Sequence, residues 1–201
     1  STGHLIIPAA LLGLDAPESK DAVDTFSIVI QGGAILAVAG LYFSRIVQML
    51  KGLAGRDRAG RRLLINLIVA FLPAAVLGLL LDDTISANLF RPAPVLAALF
   101  LGGVWMIWLD RRDRKRRRAR EASGDAAPPA DTSITLDQLD TSRALAIGLF
   151  QVVAMWPGTS RSMMTIAGGT LLGMKPKDAA EFSFLLGLPT LGGACVYSLG
   201  K

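Results

Sequence analysis

Residues 144–174 read ALAIGLFQVVAMWPGTSRSMMTIAGGTLLGM. Two apolar runs, Ala144–Trp156 and Met163–Met174, flank a polar tip. A bilayer-spanning helix needs about 20 apolar residues, and neither run reaches that. A charged side chain at membrane depth costs at least ~2.5–3.5 kcal/mol on insertion scales, so Arg161 calls for a reason. Short apolar helices joined by a polar turn read as a re-entrant hairpin. Its non-helical turn is tolerated only where protein buries it or a watered cavity receives it. Pro157-Gly158 breaks the first arm, and the second returns.

The rest of the chain makes a membrane setting the natural one. Its 201 residues are 52% hydrophobic and only 18% charged, away from the soluble average. Three apolar runs are long enough to span: Phe26–Phe43, extendable past Arg45 to Met49, Leu63–Leu81 and Pro92–Leu109. Phe182–Gly200 is a fourth. A further short run, Leu5–Leu14, joins the two around the tip as a second re-entrant candidate.

The net charge of +5 is local, because residues 111–120, RRDRKRRRAR, carry +7 and leave −2 for the remainder. A basic run beside an apolar span is a topology signal, so no nucleic-acid partner is expected. Loops 51–62 and 111–120 are basic and read as cytoplasmic, and 81–92 as external. Residues 121–133, EASGDAAPPADTS, read as a mobile linker. The single cysteine, Cys195, excludes an intrachain disulfide and a cysteine metal cluster.

Two blocks repeat. LLGL at 11–14 precedes TFSIVIQGGA at 25–34, and LLGM at 171–174 precedes EFSFLLGLPTLGGA at 181–194. The first spacer is acidic, and the second begins with Lys175 and Lys177. By the basic-side rule the copies enter from opposite faces, which makes an inverted repeat with its site where broken helices meet near the midplane. The expected fold class is all-α: a polytopic membrane protein with inverted repeats and two re-entrant helix hairpins, truncated at both ends. Residues 1–109 form the first repeat, 110–140 a basic, Pro-rich linker, and 141–201 part of the second.

Each hairpin has a polar tip. In the second, a helix start offers unpaired N–H groups to an anion. Arg161 can grip phosphate bidentately, with hydroxyls of Thr159, Ser160 and Ser162 beside it and Thr165 one turn on. In the first, STGHL at 1–5, Ser1 or Thr2 can cap a helix, and His4 can serve as base or nucleophile toward phosphorus. His4 is the only histidine.

With STGHL, VIQGGAILAV, FQVVAMWPGTSRS and EFSFLLGLP the chain resembles the undecaprenyl pyrophosphate phosphatases, the bacitracin-resistance phosphatase family, from residue 1 to about 200. The resemblance implies a multi-pass hydrolase of the bacterial inner membrane. It would remove the terminal phosphate of undecaprenyl pyrophosphate and so recycle the lipid carrier of peptidoglycan synthesis. It implies His4, Ser1, Arg161 and Ser160 as catalytic, and Thr2, Gly158, Thr159, Ser162, Thr165 and Gln151 as substrate-binding. It also implies a Mg²⁺ or Ca²⁺ ion near a Glu-x-x-x-Glu pair expected just before STGHL, and two closing helices after Lys201. The chain therefore reads as part of a longer protein, and the activity of this stretch by itself is in doubt. Met163-Met164 stands where the family has Gly and a small residue. The expected partners are the pyrophosphate lipid and membrane lipids, with a homodimer left open. The rival readings are a lipid-phosphate transporter or flippase, since inverted repeats and broken helices are also transporter features, and an inactive fragment.

Overall fold

Proline opens the two helices that carry the repeated Phe-Ser and Gly-Gly-Ala blocks. At a first helical position its missing N–H costs nothing. These helices are α1, Pro17–Leu41, and α7, Pro176–Leu199, and they pack against each other. Between them lie α2 (Phe43–Leu53), α3 (Arg58–Leu89), α4 (Pro92–Ala122), a 3-10 turn (Leu136–Gln138), α5 (Thr141–Val153) and α6 (Arg161–Leu171). The computed structural model describes residues 17–89, 91–122 and 133–199, and among these the fold is all-α. The STGHL tip, Leu5–Leu14 and most of the 121–133 segment lie outside the described residues.

Among the described residues two single helices have stretches long and apolar enough to cross a membrane, Arg58–Leu81 in α3 and Pro92–Lys115 in α4. They hold two of the expected spans. The expected extension of the first span from Phe43 to Met49 does not occur in line. The chain bends by 77° between Gly32–Leu41 and Phe43–Leu53. On the bent arm, Arg45 donates from Nε to Glu181 of α7 at 2.7 Å and pairs with Asp137 at 3.3 Å. Backbone contact holds α2 in that direction. A Cβ on Gly52 would lie 2.2 Å from Arg61 N, and one on Gly60 would lie 2.0 Å from Gln48 O. Residues 111–120, read as the start of a linker, continue α4 as helix.

The core lies where α3, α5 and α7 meet, around Leu67, Ala70, Ile147, Phe182, Leu185 and Leu186. Its polar pin is Asn66, which is buried. Its amide donates to Leu139 O at 2.8 Å and its carbonyl accepts from the Thr141 hydroxyl at 3.1 Å. Many large apolar side chains remain exposed on α3 and α4, among them Leu72, Leu79, Phe100 and Val104. A water-soluble monomer rarely shows so broad an apolar surface, which suits hydrocarbon surroundings.

Candidate functional site

The helical hairpin forms, with an earlier break than Pro157-Gly158. Helix α5 stops at Val153, and residues 154–160 make the turn. A residue before proline is pushed out of the helical region, so the arm unwinds ahead of Pro157. Gly158 has φ +105°, and a Cβ there would lie 2.5 Å from Val95 O. Only glycine meets both demands. The Thr159 hydroxyl folds back onto the carbonyls of Val153 and Trp156, closing the turn.

Helix α5 runs alongside α3 and in the same direction. Thr141 meets Asn66, Gly148 lies against Ala70, and Met155 reaches Gly78. Gly148 permits the approach, since a Cβ there would be 2.4 Å from Ala70 O. The tip then rests on Val95 and Ala98, in the first turns of α4. It thus lies beyond the middle of the two apolar stretches, nearer their 81–92 ends. Thirteen helical residues reach about 20 Å, enough for that depth.

At the tip Ser160 is the N-cap of α6, its Oγ accepting from Met163 N at 3.4 Å. Ser160 Oγ and Ser162 Oγ are 3.2 Å apart. Arg161 follows the cap. Its guanidinium donates to Ser183 O at 3.3 Å and lies on Gly187. Among the described residues no carboxylate pairs with it. Ser160, Arg161 and Ser162 are all partly exposed. Two hydroxyls, a cation and a helix start therefore share one tip, residue types that suit a multiply charged anion.

The other expected residues of this tip build its frame. Thr165 is buried, its hydroxyl 2.6 Å from that of Ser183, so it latches α6 to α7. Gln151 is buried and donates to Thr190 Oγ1 at 3.2 Å. Gln151 Oε1 and Trp156 Nε1 are buried without a hydrogen-bond partner among the described residues. Met163 does not close over the hydroxyls. It leans away toward Gly102 of α4, where a Cβ would lie 3.2 Å from its methyl group. Ser1, Thr2 and His4 lie outside the described residues.

Sequence reasoning missed Ser183, Gly187 and Thr190, the α7 positions that seat this tip. Their only prior signal is their place in EFSFLLGLPT, and nothing in that string says which face meets Arg161.

The family description "Bacitracin resistance protein BacA" matches residues 1–201. The chain belongs to the BacA family. It is a membrane protein. It is 46% identical over 201 residues to an undecaprenyl-diphosphatase of Sorangium cellulosum, covering 100% of this chain and 60% of that relative. Over 201 residues it is 45% identical to an undecaprenyl-diphosphatase of Methylococcus capsulatus, covering 100% and 66%. Over 199 residues it is 44% identical to one of Verminephrobacter eiseniae, covering 99% and 66%. The chain thus spans between 60% and 66% of the length of these three BacA-family relatives.

The acids expected to hold a Mg²⁺ or Ca²⁺ ion, and the STGHL tip beside them, lie outside the described residues, and among those described no three His, Cys, Asp or Glu side chains converge. Hydroxyls beside a guanidinium favour an anion over a hard cation, which takes carboxylate and carbonyl oxygens.

Proposed function

We propose that this chain is the larger part of an undecaprenyl-diphosphate phosphatase of the bacterial inner membrane. The observation that carries this reading is Arg161. It is a guanidinium at a re-entrant tip with no described carboxylate partner, set beside Ser160, Ser162 and the start of α6. The names of the relatives support the same substrate.

The substrate is a phosphoric anhydride. Hydrolysis breaks the bond from the bridging oxygen to the terminal phosphorus and forms one from phosphorus to a water oxygen. Inorganic phosphate and the lipid monophosphate leave. Charge on the phosphoryl oxygens is what a catalyst must stabilise, and Arg161 with the helix-start N–H groups and serine hydroxyls suits that task. His4 is our candidate for base or nucleophile, with Ser1 as the other nucleophile. The prenyl tail would lie in lipid beside the apolar faces of the helices.

Phosphate release from undecaprenyl pyrophosphate by the purified full-length parent in detergent tests this. Turnover that is lost in Arg161→Ala and His4→Ala supports it. Movement of the lipid across a bilayer without phosphate release would overturn it in favour of a transporter.

A further inference from the structure

Beyond its last apolar turn, α4 keeps Asp110 and Asp113 off one of its faces. Trp108, Arg111, Arg112, Lys115 and Ala119 line one concavity of about 520 Å³. Their spacing puts them on one side of the helix. Asp110 and Asp113 line a different groove of about 280 Å³, together with Met163, Thr170 and Leu171 of the hairpin. Asp110 is further engaged by Arg114 at 2.8 Å. The three cations on the first face therefore have no acid among the residues lining their concavity, while the acids of the same two turns look toward α6. Such segregation is not needed for a topology signal, which depends only on how many basic residues the loop carries.

The same face continues toward the other end of α4 as an apolar stripe. Leu101, Val104 and Trp108 are 55%, 50% and 52% exposed and stand one or two turns apart. The Arg112 guanidinium sits 5.5 Å from the centre of the Trp108 ring. That contact fixes a long side chain at the level where the ring belongs, between hydrocarbon and headgroups. From one end to the other the face offers a track for an acyl chain, an aromatic ring at ester depth, and three cations at phosphate depth.

We propose that this face of α4 is a binding site for an anionic phospholipid, with Arg111, Arg112 and Lys115 holding the phosphodiester headgroup. The site is separate from the hairpin tip and does not depend on the phosphatase reading.

Tryptophan fluorescence tests it. In the full-length parent every tryptophan but Trp108, Trp105 and Trp156 among them, is replaced by phenylalanine, which leaves Trp108 as the reporter. The protein is placed in phosphatidylcholine bilayers containing phosphatidylglycerol, with one lipid or the other brominated in its acyl chains. Each cation near an anionic surface contributes enough to change binding several-fold. Brominated phosphatidylglycerol is therefore expected to win the site over brominated phosphatidylcholine by about tenfold or more. The combined variant Arg111→Gln, Arg112→Gln, Lys115→Gln should bring the two lipids to parity with an unchanged melting temperature. Replacing the two arginines by lysine should retain most of the preference. Equal quenching by both lipids, or a preference that survives the triple variant, overturns the proposal. Loss of the preference when millimolar inorganic phosphate is added would show a site for free phosphate, and would overturn it also.

Discussion

Arg161 meets its surroundings through a helix carbonyl. In a helix the side chain at i+4 partly shields the carbonyl of residue i, and at Gly187 there is none. Ser183 O is thereby open to the guanidinium. A Cβ at Gly187 would lie 2.8 Å from one terminal nitrogen of Arg161 and 3.2 Å from Cζ. The guanidinium is the flexible end of its chain, so a methyl group displaces it a little and a larger group displaces it wholly. In the full-length parent, Gly187→Ala should reduce kcat/KM mildly and Gly187→Val by about tenfold or more, the scale of one charged hydrogen bond. In an Arg161→Ala background Gly187→Val should cost little further, because both changes act on one group. Fully additive losses would show that Gly187 acts by another route. Arg161→Lys keeps the charge but not the paired donors, and turnover should fall by about tenfold to a hundredfold while the melting temperature holds.

Between elements, the α6–α7 contact turns on the Thr165–Ser183 hydroxyl pair, which is buried. Thr165 also donates within its own helix, to Arg161 O at 2.9 Å. Replacing Thr165 by Val leaves the Ser183 hydroxyl short of a partner. A loss of about 1–3 kcal/mol is expected, read as a lowered melting temperature, and a smaller loss when Ser183→Ala accompanies it. At the other end of the hairpin, Asp140 caps α5. The Arg143 N–H first, and then the Ser142 hydroxyl and the Arg143 charge, hold its carboxyl below the usual carboxylate range. Its folded pKa is lowered, so the contribution is present above the unfolded value of about 4 and fades as pH falls through the folded one. Asp140→Asn keeps a cap without the titration, and its melting temperature should lose about 1–2 °C less than the parent's on acidification from pH 6 to pH 3.

These elements differ in how far the chain announced them. The hairpin was legible because Pro157, Gly158 and two short apolar runs encode it locally, and so was the placing of Ser160 to Ser162 at its tip. The bend at Tyr42 was not, because the ion pair that anchors the bent arm joins Arg45 to Glu181, 136 positions away. The inward roles of Thr165 and Gln151 were hidden for the same reason. A hydroxyl or amide in an apolar run can face a ligand or a neighbouring helix, and only packing decides.

Across the whole molecule, one end gathers the polar groups. The starts of α3 and α5, the Arg45–Glu181–Asp137 ion pairs and Asn66 with Thr141 all lie there. The basic end of α4 belongs to the same side if loop charge sets orientation. Measured from that end, α5 passes Ala70 and its tip reaches the level of Gly78 and Val95. Gly78 is three residues short of Leu81, where the apolar run of α3 ends. The Ser160–Ser162 cluster therefore lies beyond the middle of the apolar stretches and, on that orientation, on the external side of it. A charged headgroup would have a shorter path to it from outside than from the cytoplasm. Accessibility in intact cells tests this. In a Cys195→Ser background, Asn88→Cys marks the external side and Gly55→Cys the cytoplasmic side. Thr159→Cys should react with a membrane-impermeant maleimide added outside, at a rate between those of Asn88→Cys and a buried control such as Ala70→Cys. Gly55→Cys should react only after the membrane is permeabilised. A Thr159→Cys that reacts only after permeabilisation would mean that the tip opens toward the cytoplasm, and the depth inferred from Gly78 and Val95 would then not set its access.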